Sequence, residues 1–329
     1  MPSHDVMPNM ELYQPVQVED ALAIADRLAD RGWLVGGGQD TYGWLKDRAK
    51  SVDAMIDLSA IESLRGIRET SDGIEIGALT TLTEVATDAT IMAQYSLLSS
   101  AAGRVASPQI RNIGTLGGNV SQDVRCWYYR RGLSCYRAGG NLCYADTPEG
   151  MNREHSLFET SRCVAASPSD TAPALVALDA SMVIRSLDGE RVVAAEDYFV
   201  GPANDIENTT VLRPGEILTA VRIPSTWANA TFYFEKVADR NVWDFPLVNI
   251  AAAFKVSGGN VEDSRIVCGS VQCTPRRVTN VENAIRGQAK NAATAESVAP
   301  MATEGARELA HNGFKIPLMQ NLVKRAISA

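Results

Sequence analysis

No apolar run in this 329-residue chain approaches the ~20 residues of a membrane-spanning helix, so any membrane association would come through a partner. The opening MPSHDVMPNMELYQP has no apolar h-region of the kind a secretory signal carries. Basic charge is not in excess: 31 Lys and Arg against 39 Asp and Glu give a net charge of −8, which does not steer the chain to nucleic acid. Internal repeats and low-complexity segments are absent. The G-x-G-x-x-G spacing of a dinucleotide fold is missing, as are the short C-x-x-C hooks common in structural zinc sites. A disulfide framework is not expected for the six cysteines, because a chain of this length can bury its own core. The length allows two or three packed units.

What is present begins with glycine. Apolar residues at helical spacing over 18–32 predict a helix that ends at a glycine and feeds a strand over 33–35. The strand runs into Gly36, Gly37, Gly38, Gln39, Asp40 and Thr41, followed by a helix over 42–47. Glycines after a strand allow positive φ and let backbone N–H groups approach phosphates, while the helix N-terminus adds positive potential. A triple glycine also serves as an ordinary turn, so this loop alone decides little. Further on, residues 73–82 read as a strand turning at Gly77 and 97–105 as a small-residue helix. A second glycine loop, over 107–120, carries Gly114, Thr115, Gly117, Gly118 and Asn119. Two such loops suit one diphosphate, and backbone amides can bind an anion without a charged anchor. Ser167, Ser169 and Asp170 read as caps of a helix running through Leu178, and Asp188-Gly189 as the turn of a hairpin.

Between the second glycine loop and that cap stand Cys126, Cys135, Cys143 and Cys163, separated by 8, 7 and 19 residues of loop formers. Four thiolates in an irregular loop can hold an iron-sulfur cluster or a tetrahedral zinc, or can be unrelated buried thiols. Spacing leaves all three open. Cys268 and Cys273 lie in IVCGSVQCTPRR, well outside this stretch, and read as structural.

The ordered segments GGGQDT, IGALTTL, RNIGTLGGNV, SPSDTAPALVALDA, RPGEILTAVRIP and FEKVADRNVWDFPLVNIAAAF cover nearly the whole chain. Together they resemble the FAD-binding medium subunits of molybdenum hydroxylases, the xanthine dehydrogenase and carbon monoxide dehydrogenase family. The resemblance implies an α+β (α/β) fold: a two-subdomain FAD-binding domain of the vanillyl-alcohol-oxidase type, then a carbon-monoxide-dehydrogenase-flavoprotein-like C-terminal domain with a small antiparallel sheet and helices. Its units would be 1–60, 61–224 with an insertion at about 122–164, and 225–329, with C-terminal helices over 282–285, 292–309 and 318–327.

Most members pass directly from TLGGN to SPSD. The intervening residues here resemble the insertion of 4-hydroxybenzoyl-CoA reductase and, more closely, of periplasmic-type aldehyde oxidoreductases, whose FAD subunits hold a [4Fe-4S] cluster. By that resemblance Cys126, Cys135, Cys143 and Cys163 would ligate the cluster, with His155 beside it. The family's flavin contacts would fall on Val35, Gly36, Gly37, Gly38, Gln39, Asp40 and Thr41, with Thr115, Gly117, Gly118 and Asn119 covering the other side. Ser167 and Asp170 would reach the adenosine or diphosphate portion, Leu218 would pack on adenine, and Lys236 would lie near the isoalloxazine. Gln39 departs from the family's usual Thr, which removes a hydroxyl contact to phosphate. The chain has no molybdopterin signature and no plant-type [2Fe-2S] cysteine spacing, so a large molybdopterin-binding subunit and a small [2Fe-2S] subunit would be its partners, and an external acceptor its outlet. Aldehydes are the expected substrates of the complex, with 4-hydroxybenzoyl-CoA reductase-like and xanthine dehydrogenase-like complexes as alternatives. From other classes stand a self-sufficient FAD oxidase and a zinc-stabilised structural subunit. The compartment would be cytoplasmic, or periplasmic by export with a signal-bearing partner.

Overall fold

The structure, a computed structural model, describes residues 7–329; the start of the segment lacking an h-region lies outside the described residues. Strand β1 (Glu11–Tyr13), β2 (Gly32–Val35) and β3 (Ala54–Asp57) form a parallel sheet in the order β1-β3-β2. Helix Val18–Leu28 buries Val18, Ala21, Leu22, Ala25 and Leu28, the spacing of one helical face, in a core shared with Ile56, Leu58 and Ile61. The helix stops short of the expected Gly32: Ala29 takes φ 48 and the last turn tightens to a 3-10 turn.

Strands β4 (Ile67–Thr70), β5 (Gly73–Gly77), β6 (Ser181–Ser186), β7 (Gly189–Ala194) and β8 (Ile217–Pro224) form an antiparallel sheet in the order β4-β5-β8-β6-β7. Ser186 pairs with Gly189, so the hairpin turn is Leu187-Asp188 and Gly189 begins the return strand. Helices Leu82–Thr87, Ser96–Gly103 and Thr171–Ala177 share one core with this sheet. A capping box, Thr81 with Glu84, starts the first of them.

The third sheet is antiparallel, with β9 (Thr231–Val237), β10 (Val248–Ser257), β11 (Asn260–Gly269) and β12 (Arg276–Arg277) in the order β12-β11-β10-β9. Its strand β10 is buried from Val248 to Phe254 because both of its faces are covered. Val248, Ile250, Ala252 and Phe254 enter a core with helix Lys315–Ser328, whereas Ala251 and Ala253 enter the core of the second sheet. The period-2 alternation of a strand therefore distributes one segment between two cores and fuses the units. Helix Thr279–Ile285 begins earlier than expected, and helix Ala292–Val298 passes into a 3-10 turn, Ala299–Thr303, rather than continuing to residue 309. No helix among the described residues is long and apolar enough to cross a membrane.

Residues 122–164 have little regular structure beyond helix Trp127–Arg130 and a 3-10 turn, Tyr136–Ala138. They are held by the turn before helix Lys315–Ser328: Asn312 Nδ2 donates to the carbonyls of His155 and Ser156, and His311 N donates to the Asn152 side chain at Oδ1. Lys315, fully buried, donates from Nζ to Glu154 O at 2.8 Å and Ser270 O at 2.9 Å. Burial pushes this lysine down from 10.5 to about 7. Between those values the unfolded chain holds one more proton than the folded one, so raising the pH stabilises the fold. The unfolding free energy of the wild type, from denaturant titrations, should therefore rise relative to Lys315→Met between about pH 7 and 10, by up to a few kcal/mol at ~1.4 kcal/mol per pH unit; parallel pH profiles would show Lys315 to be charged in the fold.

Candidate functional site

The loop after β2 and the segment 113–119 face each other across a cleft of about 470 Å³. Gly36, Gly38, Gln39, Asp40 and Thr41 line one side, and Thr115, Gly118 and Asn119 the other. The two backbones touch at its base. Thr115 Oγ1 donates to Gly36 O at 2.8 Å and accepts from Gly118 N at 3.1 Å, also capping helix Leu116–Val120. A Cβ on Gly118 would sit 2.8 Å from Gly36 O, and one on Gly37, where φ is +93, would collide with the Ile113 carbonyl. These glycines thus permit one loop to approach the other, rather than clearing space for a phosphate.

The second glycine segment is a short helix, not an open loop, and its amides are spent within the protein. Gly117 N donates to Ala78 O, and Asn119 N to Thr115 O. In the first segment, among the described residues, the N–H groups of Gly37, Gly38, Gln39 and Asp40 donate to no backbone carbonyl, and Gly38, Gln39 and Asp40 line the cleft. Of the remaining expected contacts, Val35 and Gly117 are buried behind the cleft, Ser167 lines a neighbouring cleft of about 660 Å³, and Leu218 packs in the core of the second sheet.

Asp170 does not cap its helix with its side chain; Ser169 Oγ does so, accepting from Ala172 N at 3.1 Å. The Asp170 carboxylate instead accepts from Lys236 Nζ at 2.6 Å and Asn249 Nδ2 at 3.0 Å. Burial pushes Asp170 up while these two partners pull against it. Lys236, on edge strand β9, points inward: it also donates to Arg104 O, so both of its contacts are inside the protein. Asn119 Oδ1 accepts from Ser169 and Thr171 hydroxyls, each at 2.6 Å, joining the second glycine segment to the same helix start.

Sequence reasoning missed Lys50 and Asp123, which pair at 2.5 Å on the cleft wall. Burial lowers Lys50, but Asp123 and Tyr129 outweigh it and the net shift is upward. It also missed Trp243 and Phe245, half-exposed at the cleft mouth. Trp243 holds φ 77, an uncommon value for an aromatic residue and one that no residue pattern signals.

Cys126, Cys135, Cys143 and Cys163 line one small cavity. Three are buried and Cys143 is partly exposed. Among the described residues no three of His, Cys, Asp and Glu are grouped as ligands of a single metal ion. His155 Nε2 lies 3.3 Å from Cys126 Sγ, and its Nδ1 is buried without a partner. Burial, with Lys315 nearby, lowers His155 to about 4; burial raises Cys126 to about 12. Cys273 corrects the expectation that it lies well outside this region. It packs with Cys126, Cys135 and Cys163, whereas Cys268 belongs to the C-terminal core.

The FAD binding domain in molybdopterin dehydrogenase matches residues 8–226, and the CO dehydrogenase flavoprotein C-terminal domain matches residues 233–329. The chain belongs to this family, the FAD-binding medium subunits of molybdenum hydroxylases, and is an oxidoreductase subunit. It is 26% identical over 329 residues to the carbon monoxide dehydrogenase medium chain of Hydrogenophaga pseudoflava, covering 98% of each chain. It is 28% identical over 321 residues to the aldehyde oxidoreductase FAD-binding subunit PaoB of Escherichia coli (strain K12), covering 96% of each. A solved carbon monoxide dehydrogenase from Hydrogenophaga pseudoflava, lacking the Mo-pyranopterin moiety, superposes with a TM-score of 0.78 at 25% identity over 98% of this chain and 97% of that one.

Because the loops meet backbone to backbone, Gly37→Val and Thr115→Val should each lower flavin content per purified chain and cost about 1–3 kcal/mol in thermal or denaturant stability. Thr115→Ser, which keeps the hydroxyl, should retain flavin. Full flavin occupancy in Gly37→Val would show that the contact is dispensable.

Proposed function

We propose that this chain is the electron-outlet subunit of a heteromeric molybdenum hydroxylase. It relays electrons from a small [2Fe-2S] subunit to an external acceptor, while a large molybdopterin-binding subunit oxidises the substrate, an aldehyde. The observation that carries the reading is the pair of glycine segments clasped at Thr115 and Gly36, with the N–H groups of Gly38, Gln39 and Asp40 left over at a cleft of cofactor size. FAD, when bound, supplies a redox centre that exchanges electrons singly or in pairs. The backbone amides of Gly37, Gly38, Gln39 and Asp40 would hold its diphosphate, with Thr41, Thr115, Gly118, Asn119 and Asp170 walling the cleft. Gly36 would line the cleft with them, and Val35, Gly117, Ser167, Leu218 and Lys236 would support those walls from behind or beside. Aldehyde as substrate is favoured by the likeness to the aldehyde oxidoreductase subunit.

The residues of 122–164 fit an additional [4Fe-4S] cluster. Its four thiolates each bind a different iron, so they need to surround a cavity rather than converge on one ion. Cys126, Cys135, Cys143 and Cys163 do the former. This favours the cluster over zinc, whose four ligands share one centre. The buried Arg137 guanidinium, placed on sulfur, suits an anionic occupant.

Heat-released supernatant of the purified complex should contain FAD, about one per chain. With FAD removed, substrate should still reduce the partner centres while turnover with an external acceptor stops; persisting turnover would place the outlet in another chain. For the insertion, serine at any one of Cys126, Cys135, Cys143 or Cys163 should remove about four irons per complex, and Cys268→Ser or Cys273→Ser none. Unchanged iron in the four variants, or stoichiometric zinc in the wild type, would refute the cluster.

A further inference from the structure

Arg137 is 4% exposed and forms no ion pair with a carboxylate among the described residues. Its donors go elsewhere: Nε to Cys163 Sγ at 3.2 Å, Nη2 to Cys273 Sγ at 3.1 Å, and Nη1 to Glu207 O at 3.5 Å. A buried guanidinium is costly to keep unless negative charge faces it. Cys163 Sγ, which would carry negative charge as an iron ligand, faces it from the insertion, the Cys273 thiol accepts on the other side from the segment after β11, and the Asp123 carboxylate adds a longer-range attraction. The planar fork of arginine suits such a clamp, because its donors diverge in fixed directions and each is held by a different part of the chain.

We propose that Arg137 is a positioning residue that raises the reduction potential of the iron-sulfur cluster carried by the insertion. The inference rests on the cluster reading given under Proposed function. Adding an electron makes a cluster and its thiolates more negative, so a fixed positive charge and N–H donors on a ligand sulfur stabilise the reduced state more than the oxidised one. Cys273 supplies no iron ligand in this arrangement. Its sulfur holds the far edge of the guanidinium and so aims Nε at Cys163.

The test is an anaerobic redox titration of the intact complex followed by electron paramagnetic resonance, with the cluster signal identified as the one lost in Cys126→Ser. Arg137→Met and Arg137→Lys are compared with the wild type, and iron is counted in each. The expected result is that Arg137→Met reduces with an equilibrium constant at least tenfold smaller, which is 59 mV for a one-electron couple. Arg137→Lys, keeping the charge but fewer donors, should shift several-fold in the same direction, and so should Cys273→Ala. Should Arg137→Met fail to assemble its cluster, the Lys and Cys273→Ala shifts carry the test. Wild-type potential in an iron-replete variant would overturn the proposal, and so would loss of iron from both Arg137 variants, which would make the residue purely structural. A wild type with no signal sensitive to Cys126→Ser would fail the cluster reading itself, a result distinct from an unshifted potential.

Discussion

The contact between the Thr115 hydroxyl and the Gly36 carbonyl joins segments 79 residues apart, and the cleft between them depends on it. One oxygen both donates to Gly36 and accepts from Gly118, so the end of β2 and the start of helix Leu116–Val120 share a single fixed point. Side chains cannot be added there without separating the two backbones, which explains why glycine occupies positions 37 and 118. The cleft is thereby narrow at its base and open above, with free amides on the β2 side only.

Behind that contact the architecture is held by one strand. Alternate residues of β10 enter different cores, so the second sheet and the C-terminal helix are packed on opposite sides of the same backbone. Asn249, on this strand, donates to the Asp170 carboxylate, and Lys236, its partner across β9, donates to the other oxygen. The C-terminal sheet therefore reaches the wall of the cleft through a buried ion pair. Removing Lys236 alone would strand a buried carboxylate, a loss of about 3–5 kcal/mol in comparable buried pairs.

Much of this was legible in residue order. The helix starting at Val18, the glycine segments and the hairpin follow from periodicity and turn residues, which are local signals, whereas the antiparallel C-terminal sheet was implied by the family resemblance. Direction was not legible. Asp170 reads as a cap because Asp is a good one, yet its neighbour Ser169 takes that role and frees Asp170 for Lys236. Glycines 117 and 118 read as an open loop, but Thr115 caps a short helix there, and the two amides go to Ala78 O and Thr115 Oγ1. Cys273 was assigned away from the other cysteines on sequence distance, and the return of the chain after β11 brings it back. Each of these outcomes is set by tertiary packing, which no single-sequence spacing encodes.

The two candidate cofactor regions are mechanically joined. Asp40, in the first glycine segment, accepts from Arg125 at 2.6 Å, Arg130 at 3.0 Å and the Trp44 indole at 2.9 Å. Both arginines belong to the insertion, and Arg125 is the residue immediately before Cys126. Arg130 also lies over the Trp44 ring, which meets Tyr129 and Lys50 as well. A carboxylate occupied by three donors has little capacity left for a ligand, so Asp40 works as a strut and leaves its N–H, not its side chain, to the cleft. The insertion is consequently not an appendage on a finished flavin domain. Its first helix is one of the supports that fix the glycine segment, and ordering of the cysteine loop and shaping of the cleft are tied to one carboxylate.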